Sequence, residues 1–167
     1  FLVHGGASSA EVDGDPLALN RDVFRGALEM NLVSVYSVVC ALAPFLACST
    51  NSRRSFVLVS SINAFSAFGY PAYSAAKAGL ESLVKSLSEP LAAQRVRINA
   101  VALGTVLDPR GSTLHAGQQD HFDRMRNQSL SGEVMNPEEA ARTLLCLAEY
   151  LPAVTGQVLV ADYGQSI

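Results

Sequence analysis

The stretch from Ser55 to Leu80, S-F-V-L-V-S-S-I-N-A-F-S-A-F-G-Y-P-A-Y-S-A-A-K-A-G-L, constrains this chain more than any other. Phe56-Val57-Leu58-Val59 is a continuous apolar run closed by Ser60 and Ser61, which predicts a buried strand delivering hydroxyls at its C-terminal end. A Gly/Pro loop follows, and with Pro71 just outside it, Tyr73 to Leu80 reads as the opening turns of a helix. Residues four apart share a helix face, so Tyr73 and Lys77 project side by side, and an ammonium beside a phenol favours the phenolate. Such a tyrosine can serve as a general acid or base. A serine at the strand end can hydrogen-bond the oxygen that gains or loses the proton.

The order of Ser61, Tyr73 and Lys77, together with A-G-L after the lysine, resembles the catalytic segment of the short-chain dehydrogenase/reductase family. The second serine of such a pair is usually the catalytic one in that family, which favours Ser61 over Ser60. Further matches extend the resemblance. Phe1-Leu2-Val3 runs into His4-Gly5-Gly6-Ala7 where the family carries Asn-Asn-Ala-Gly beside the cofactor's adenosine ribose, so Gly5 stands at a cofactor position without the amide side chains. Asn31, in M-N-L-V, matches an asparagine that kinks the family's long helix and whose main chain holds a water connected to the catalytic lysine. Arg97-Ile98-Asn99-Ala100-Val101, followed by Gly104-Thr105-Val106, is similar to the strand and turn that set backbone groups against the nicotinamide, implicating Gly104 and Val106. Leu103 and Asp108 depart from the usual proline and threonine there. Thr155-Gly156-Gln157 through Asp162-Tyr163-Gly164 resembles the family's ending, with Tyr163 for a glycine.

The remaining segments supply helices. Asn20, or Leu17 before it, opens a long helix to Leu46 whose buried face is marked by Phe24, Leu28, Leu32, Val35, Val39 and Leu42. Pro90 should kink or end the helix that follows Tyr73, because proline removes a helical hydrogen bond. Leu107 to Gly132 mixes Pro, Gly, His and charges with weak periodicity, as expected of a mobile substrate-covering segment, and its His115 and His121 read as surface residues. Asn136-Pro137-Glu138-Glu139 starts a helix reaching about Tyr150. Strands alternating with helices argue for an α/β, Rossmann-like doubly wound parallel sheet with helices on both faces.

With 167 residues, 49% hydrophobic and 16% charged, the chain can bury one core and is one domain at most. A net charge of −3 gives no reason to invoke nucleic acid or an anionic membrane, and the apolar runs break before the ~20 residues of a membrane span, so a cytoplasmic location is expected. Cys40, Cys48 and Cys146 form neither a C-x-x-C nor an even disulfide framework and read as reduced thiols.

The resemblance implies that residues 1–167 form the C-terminal part of a single domain of this family, the first strands and their glycine-rich pyrophosphate turn being expected N-terminal to Phe1. That segment would be needed in cis or as a separate chain, and without it Phe1-Leu2-Val3 would be an exposed sheet edge. The implied activity is hydride transfer between NAD or NADP, which the chain does not distinguish, and a small-molecule carbonyl or alcohol. Asn31, Ser61, Tyr73 and Lys77 would be catalytic, Gly5, Tyr73, Lys77, Gly104 and Val106 would contact cofactor, and no metal is expected. A homodimer or homotetramer is implied, with Val33, Tyr36, Leu83 and Leu87 as apolar surface. The competing reading is a non-catalytic fragment or scaffold that keeps the site residues but binds no dinucleotide on its own. Ser74-x-x-Lys77 with Ser61-x-Asn63 also permits a serine acyl-transferase to be written down. The order of those motifs is reversed and no K-T-G strand follows, so that class is disfavoured.

Overall fold

The computed structural model describes residues 2–3, 15–66, 70–107 and 118–167, with side chains over 15–66, 70–107 and 123–167. Four parallel strands, β1 (Leu2–Val3), β2 (Ser55–Ser61), β3 (Arg97–Leu103) and β4 (Val158–Ala161), lie in that order in one sheet. The register sets Leu2 opposite Val57, Val57 opposite Asn99, and Val101 opposite Leu159. All seven residues of β2 are buried, as an interior strand covered on both faces must be. The α/β expectation holds. Gly5, His4 and the rest of that turn lie outside the described residues, as do Asp108 and His115; the side chain of His121 does too.

Helix α1 spans Arg21–Ala47. Asn20 caps it, its Oδ1 accepting from Asp22 N at 2.7 Å, so the start falls at Asn20 and Leu17 lies before it. The predicted stripe is turned inward, with Val35 and Val39 packed beside Phe56 and Leu58 of β2. By length and composition α1 could cross a membrane, which corrects the expectation taken from short apolar runs. Its charges, Arg21, Asp22, Arg25 and Glu29, all fall in the first turns, leaving Met30 to Ala47 uncharged. Val35 and Val39 anchor it in the core, while most of its apolar stretch is exposed.

Helix α2 spans Pro71–Ala93, with Pro71 inside its first turn, and continues past Pro90, contrary to expectation. The position explains this. Only the last turn follows Pro90, while Leu91 beside it is buried in the main core with Val96 and Ile98, so burial worth ~1.5–3 kcal/mol offsets the broken backbone bond. Leu83 and Leu87, expected as outer surface, pack against this same core, whereas Val33 and Tyr36 of α1 are 42% and 46% exposed.

The weakly periodic segment from Leu107 to Gly132 contains helix α3, Gln118–Gln128. Helix α4, Pro137–Leu145, begins with a full capping box between Asn136 and Glu139 and passes into a π-helical turn, Cys146–Tyr150. Arg97 of β3 reaches under that turn and donates to the carbonyls of Leu147 at 2.9 Å and Val154 at 3.2 Å. The amide of Asn99 ties the same strand to the β4 approach, donating to Val154 O and accepting from Gln157 N. Thus the alternating polar residues of R-I-N satisfy backbone groups that would otherwise be stranded at a helix end.

Candidate active site

The site is built where β2 and β3 end. Because side chains alternate along a strand, Ser60 and Ser61 leave β2 on opposite faces. Ser60 Oγ donates to Glu81 Oε1 at 2.9 Å and approaches Lys77 O at 3.4 Å, which fastens the strand end to α2. Ser61 instead caps a 3₁₀ turn, Ile62–Ala64; its Oγ accepts from Asn63 N at 3.2 Å and donates to Asn63 Oδ1 at 3.1 Å. It also lines a cavity of about 360 Å³ with Ile62, Asn63, Tyr70, Gly104, Thr105, Arg124 and Met125. Of the two serines, Ser61 and not Ser60 lies on that cavity.

One helical turn separates Tyr73 from Lys77 on α2, and the ammonium sits 5.3 Å from the centroid of the phenol ring. Lys77 is fully buried and donates to the Val59 carbonyl at 2.8 Å, so its chain runs from the helix to the end of β2. Burial pushes its pKa down to about 8, which leaves it cationic at neutral pH. Glu81, one turn further on, is half-buried; that burial raises its pKa, and the Ser60 hydrogen bond partly opposes the rise.

Asn31 is buried in a π-helical turn, Glu29–Val33, that interrupts α1. Its Nδ2 donates to Ala27 O at 3.1 Å. The extra residue of a π turn shifts the backbone bonding pattern, the kind of departure that often marks functional helices. Gly79 of α2 makes the close approach possible, for a Cβ there would lie 2.7 Å from Leu32 Cδ2. The A-G-L triplet after Lys77 therefore has a packing reason: it lets the helix bearing Tyr73 and Lys77 settle against the turn that holds Asn31.

At the end of β3, a Cβ on Gly104 would meet Asp162 Cα at 2.8 Å and Gln165 Oε1 at 2.6 Å. Gly104 N donates to Ala161 O, Thr105 N to Gln165 Oε1, and Leu107 N to Met135 O, while Val106 bridges Met135. The amides of Gly104, Thr105 and Leu107 are thus already engaged by protein acceptors, and Gly104 lacks a side chain because Asp162 and Gln165 fill that space. Tyr163, standing where a glycine was expected, has φ +54°; its hydroxyl donates to Glu139 Oε1 at 3.0 Å. That hydrogen bond, with burial and the charge of Glu139, raises the phenol's pKa.

Asn63, Glu81 and Arg124 were not singled out from the sequence as site residues. The S-x-N spacing of Ser61 and Asn63 was visible and could have found the first. Nothing in the polar segment around Arg124 marks it.

A family model described as enoyl-(acyl carrier protein) reductase matches residues 1–166. An uncharacterized short-chain type dehydrogenase/reductase, y4vI of Sinorhizobium fredii, is 33% identical over 84% of this chain and 25% of its own length. The 3-oxoacyl-[acyl-carrier-protein] reductase FabG of Thermotoga maritima is 32% identical over 87% of this chain and 58% of its own. Among solved structures, an oxidoreductase of the short-chain dehydrogenase/reductase family from Burkholderia thailandensis aligns with a TM-score of 0.84 at 31% identity, covering 98% of this chain and 62% of that one. The chain thus spans from a quarter to three fifths of the length of these relatives. By the extent of the family match and by its fold, this chain belongs to the short-chain dehydrogenase/reductase family of oxidoreductases.

Proposed function

We propose that the full-length protein is an NAD(P)-dependent oxidoreductase acting on a carbonyl/alcohol pair through Ser61, Tyr73 and Lys77. The carrying observation is Lys77, a fully buried ammonium 5.3 Å from the centroid of the Tyr73 ring and bonded to the end of the strand whose last residue, Ser61, lines the cavity. A buried cation with one protein acceptor among the described residues retains donors for the hydroxyls of a nicotinamide ribose, so the residues fit the dinucleotide the family uses. Lys77 and Tyr73 would hold that ribose and Gly104 and Val106 would flank the nicotinamide, which supplies the hydride when bound.

The chain's own residues move the proton. Ser61 Oγ–H turns from Asn63 Oδ1 to the substrate oxygen, stabilising the negative charge that develops there. Tyr73 gives its phenolic proton to that oxygen during reduction and takes it back during oxidation. Lys77 stabilises the phenolate by charge, which brings the tyrosine's proton affinity closer to the alcohol's task. Asn31, held in the π turn, organises the water that returns the proton. Full-length protein should oxidise NADH or NADPH in the presence of a carbonyl substrate, and Tyr73→Phe should abolish that oxidation without unfolding the chain. Undiminished turnover in Tyr73→Phe would sink the reading.

We further place the protein in the cytoplasm as a homodimer or homotetramer, joined through the exposed apolar side of α1 that bears Val33 and Tyr36. Light scattering of the full-length protein that gives a monomer at micromolar concentration would refute the association.

A further inference from the structure

Gln165 has no part in the proton transfer, yet it is only 8% exposed and its side chain joins two walls of the cavity. Its Oε1 accepts from Thr105 N at 2.8 Å, and its Nε2 donates to Met125 O at 3.2 Å. Thr105, with Gly104 before it, lines the cavity from the turn after β3, and Met125 lines it from α3. A buried glutamine gives up rotamer freedom, and a hydrogen bond at each end of its amide offsets that loss.

The backbone around it aims the side chain at this place. Tyr163 and Gly164 are successive left-handed residues, with φ of +54° and +80°, and they turn the chain back towards the end of β3. Asp162 holds the turn, its carboxylate accepting from Gly164 N at 2.8 Å and from Ser166 N at 2.9 Å. Gly104 makes the room, since a Cβ there would lie 2.6 Å from Gln165 Oε1. The residues that follow α3 are fitted to the same turn. Leu130 N and Ser129 Oγ both donate to Tyr163 O, at 3.1 Å and 2.8 Å, and the Leu130 side chain fills the space that a Cβ on Gly164 would need.

We infer that Gln165 is a positioning residue whose amide fixes the separation between Met125 and the Gly104–Thr105 turn, and with it how closely α3 sits over a substrate on Ser61. The clamp stands on its own hydrogen bonds; its consequence for a substrate rests on the Ser61–Tyr73–Lys77 reading. Gln165 acts through Met125 and Thr105 and carries no proton, so it governs how the substrate is held and not how it reacts.

Two substitutions in the full-length protein cut the clamp at different places. Gln165→Glu keeps an acceptor for Thr105 N but sets a carboxylate against the Met125 carbonyl, so it releases α3 alone. Gln165→Met keeps the length of the side chain, adds no charge and releases both ends. Amide hydrogen exchange reads the two ends separately. In Gln165→Glu, protection of the Ser129 and Leu130 amides should fall roughly 3–10-fold, the worth of one neutral hydrogen bond, while the Thr105 amide stays protected. In Gln165→Met the Thr105 amide should also exchange faster, and the amides of α2 should be unchanged in both. With NADH or NADPH and ethyl acetoacetate as the carbonyl probe, Gln165→Glu should raise the KM for the ester roughly tenfold with kcat and the nucleotide KM within about twofold. Exchange that quickens equally in α2 and α3 would make Gln165 a general stabiliser and overturn the inference, as would unchanged exchange after α3 in both variants, or a fall in kcat at constant KM. The exchange measurement needs no turnover, so release of α3 supports the clamp even if Tyr73→Phe proves fully active, and an unaltered α3 refutes it even if Tyr73→Phe is inactive.

Discussion

Ser60 and Ser61 are neighbours in sequence with opposite fates. Ser60 spends its hydroxyl on Glu81 and on the Lys77 carbonyl, inside the seam between β2 and α2. Ser61 keeps its hydroxyl on a cavity wall, in a short local exchange with Asn63 that a substrate oxygen could replace. The pleat alone separates them by face. The same division runs through the whole sheet. Phe56 and Leu58, in phase with Ser60, belong to a large core with Val35, Val39, Leu80, Val84, Leu91, Val96 and Ile98. Val57, in phase with Ser61, belongs to a small one with Val101 and Leu147. The heavily packed face fixes where α2 lies and therefore where Tyr73 and Lys77 stand; the lightly packed one leaves room at the strand ends.

The largest expected contrast is therefore between catalysis and structure at these sites. Tyr73→Phe should lower turnover roughly 10²–10⁴-fold with folding intact, the range for a general acid/base. Ser61→Ala should follow at roughly 10²–10³, the cost of one oxyanion donor. Ser60→Ala should leave turnover within about tenfold, since its hydroxyl bonds protein atoms only. Steady-state kinetics of the three variants in the full-length protein checks the series, and a Ser60 effect equal to that of Ser61 would erase the distinction between the faces.

Lys77 connects the faces, and its pH dependence tests how deeply it is buried. The folded-state pKa is pushed down to about 8, below the ordinary lysine value of 10.5, so between those pH values the unfolded chain binds more protons than the folded one. Stability should rise with pH across that window by on the order of 3 kcal/mol from this residue, and below pH 8 its contribution should be flat. Lys77→Met should remove the rise. The comparison is urea unfolding of both forms from pH 7 to 10.5; parallel curves would mean that the ammonium is solvated.

Two glycines sharpen the difference in packing. A methyl at Gly104 meets the Asp162 backbone, which cannot move without shifting the β4 end, whereas a methyl at Gly79 meets only the tip of Leu32. Gly104→Ala should cost about 3 kcal/mol and Gly79→Ala about 1 kcal/mol, the overpacking range divided by what can yield. Thermal unfolding ranks them, and the reverse order would show the helix seam to be the tighter one.

Much of this was legible in the sequence because the residues concerned answer to local rules. The apolar run closed by serines, the four-residue Tyr–Lys spacing, the Asn136 cap and the stripe on α1 each depend on periodicity or capping alone. What stayed hidden depends on distant partners. Leu91 decides the fate of Pro90, Asp162 and Gln165 decide why residue 104 lacks a side chain, and Arg124 reaches the cavity from a helix that is polar except at Phe122 and Met125. The apolar length of α1 was missed for a different reason: counting unbroken apolar runs overlooks Met30 to Ala47, which is uncharged throughout although polar residues interrupt it. At Tyr163 the sequence showed a departure from glycine, and the structure shows its consequence, a positive φ with the phenol tied to Glu139.

The smallest expected effect returns to Ser60. Its hydrogen bond to Glu81 is part-buried, 2.9 Å long, and strongest when the carboxyl is ionised. Burial raises the Glu81 pKa, while the Ser60 hydroxyl lowers it. Removing the hydroxyl should therefore move the folded-state pKa further up. A raised carboxyl pKa means that the folded state holds its proton to higher pH than the unfolded state, so stability falls as pH rises through the window just above the unfolded value. Ser60→Ala widens that window. The variant should lose about 1 kcal/mol at pH 7 and less at pH 4, where Glu81 is protonated in both states and only a neutral hydrogen bond is missing. Chemical denaturation at the two pH values measures the difference, and Glu81→Gln provides the control, since in that background Ser60→Ala should cost the same at both. A loss larger at pH 4 than at pH 7 would mean that Ser60 serves the protonated acid and that the seam between β2 and α2 is neutral.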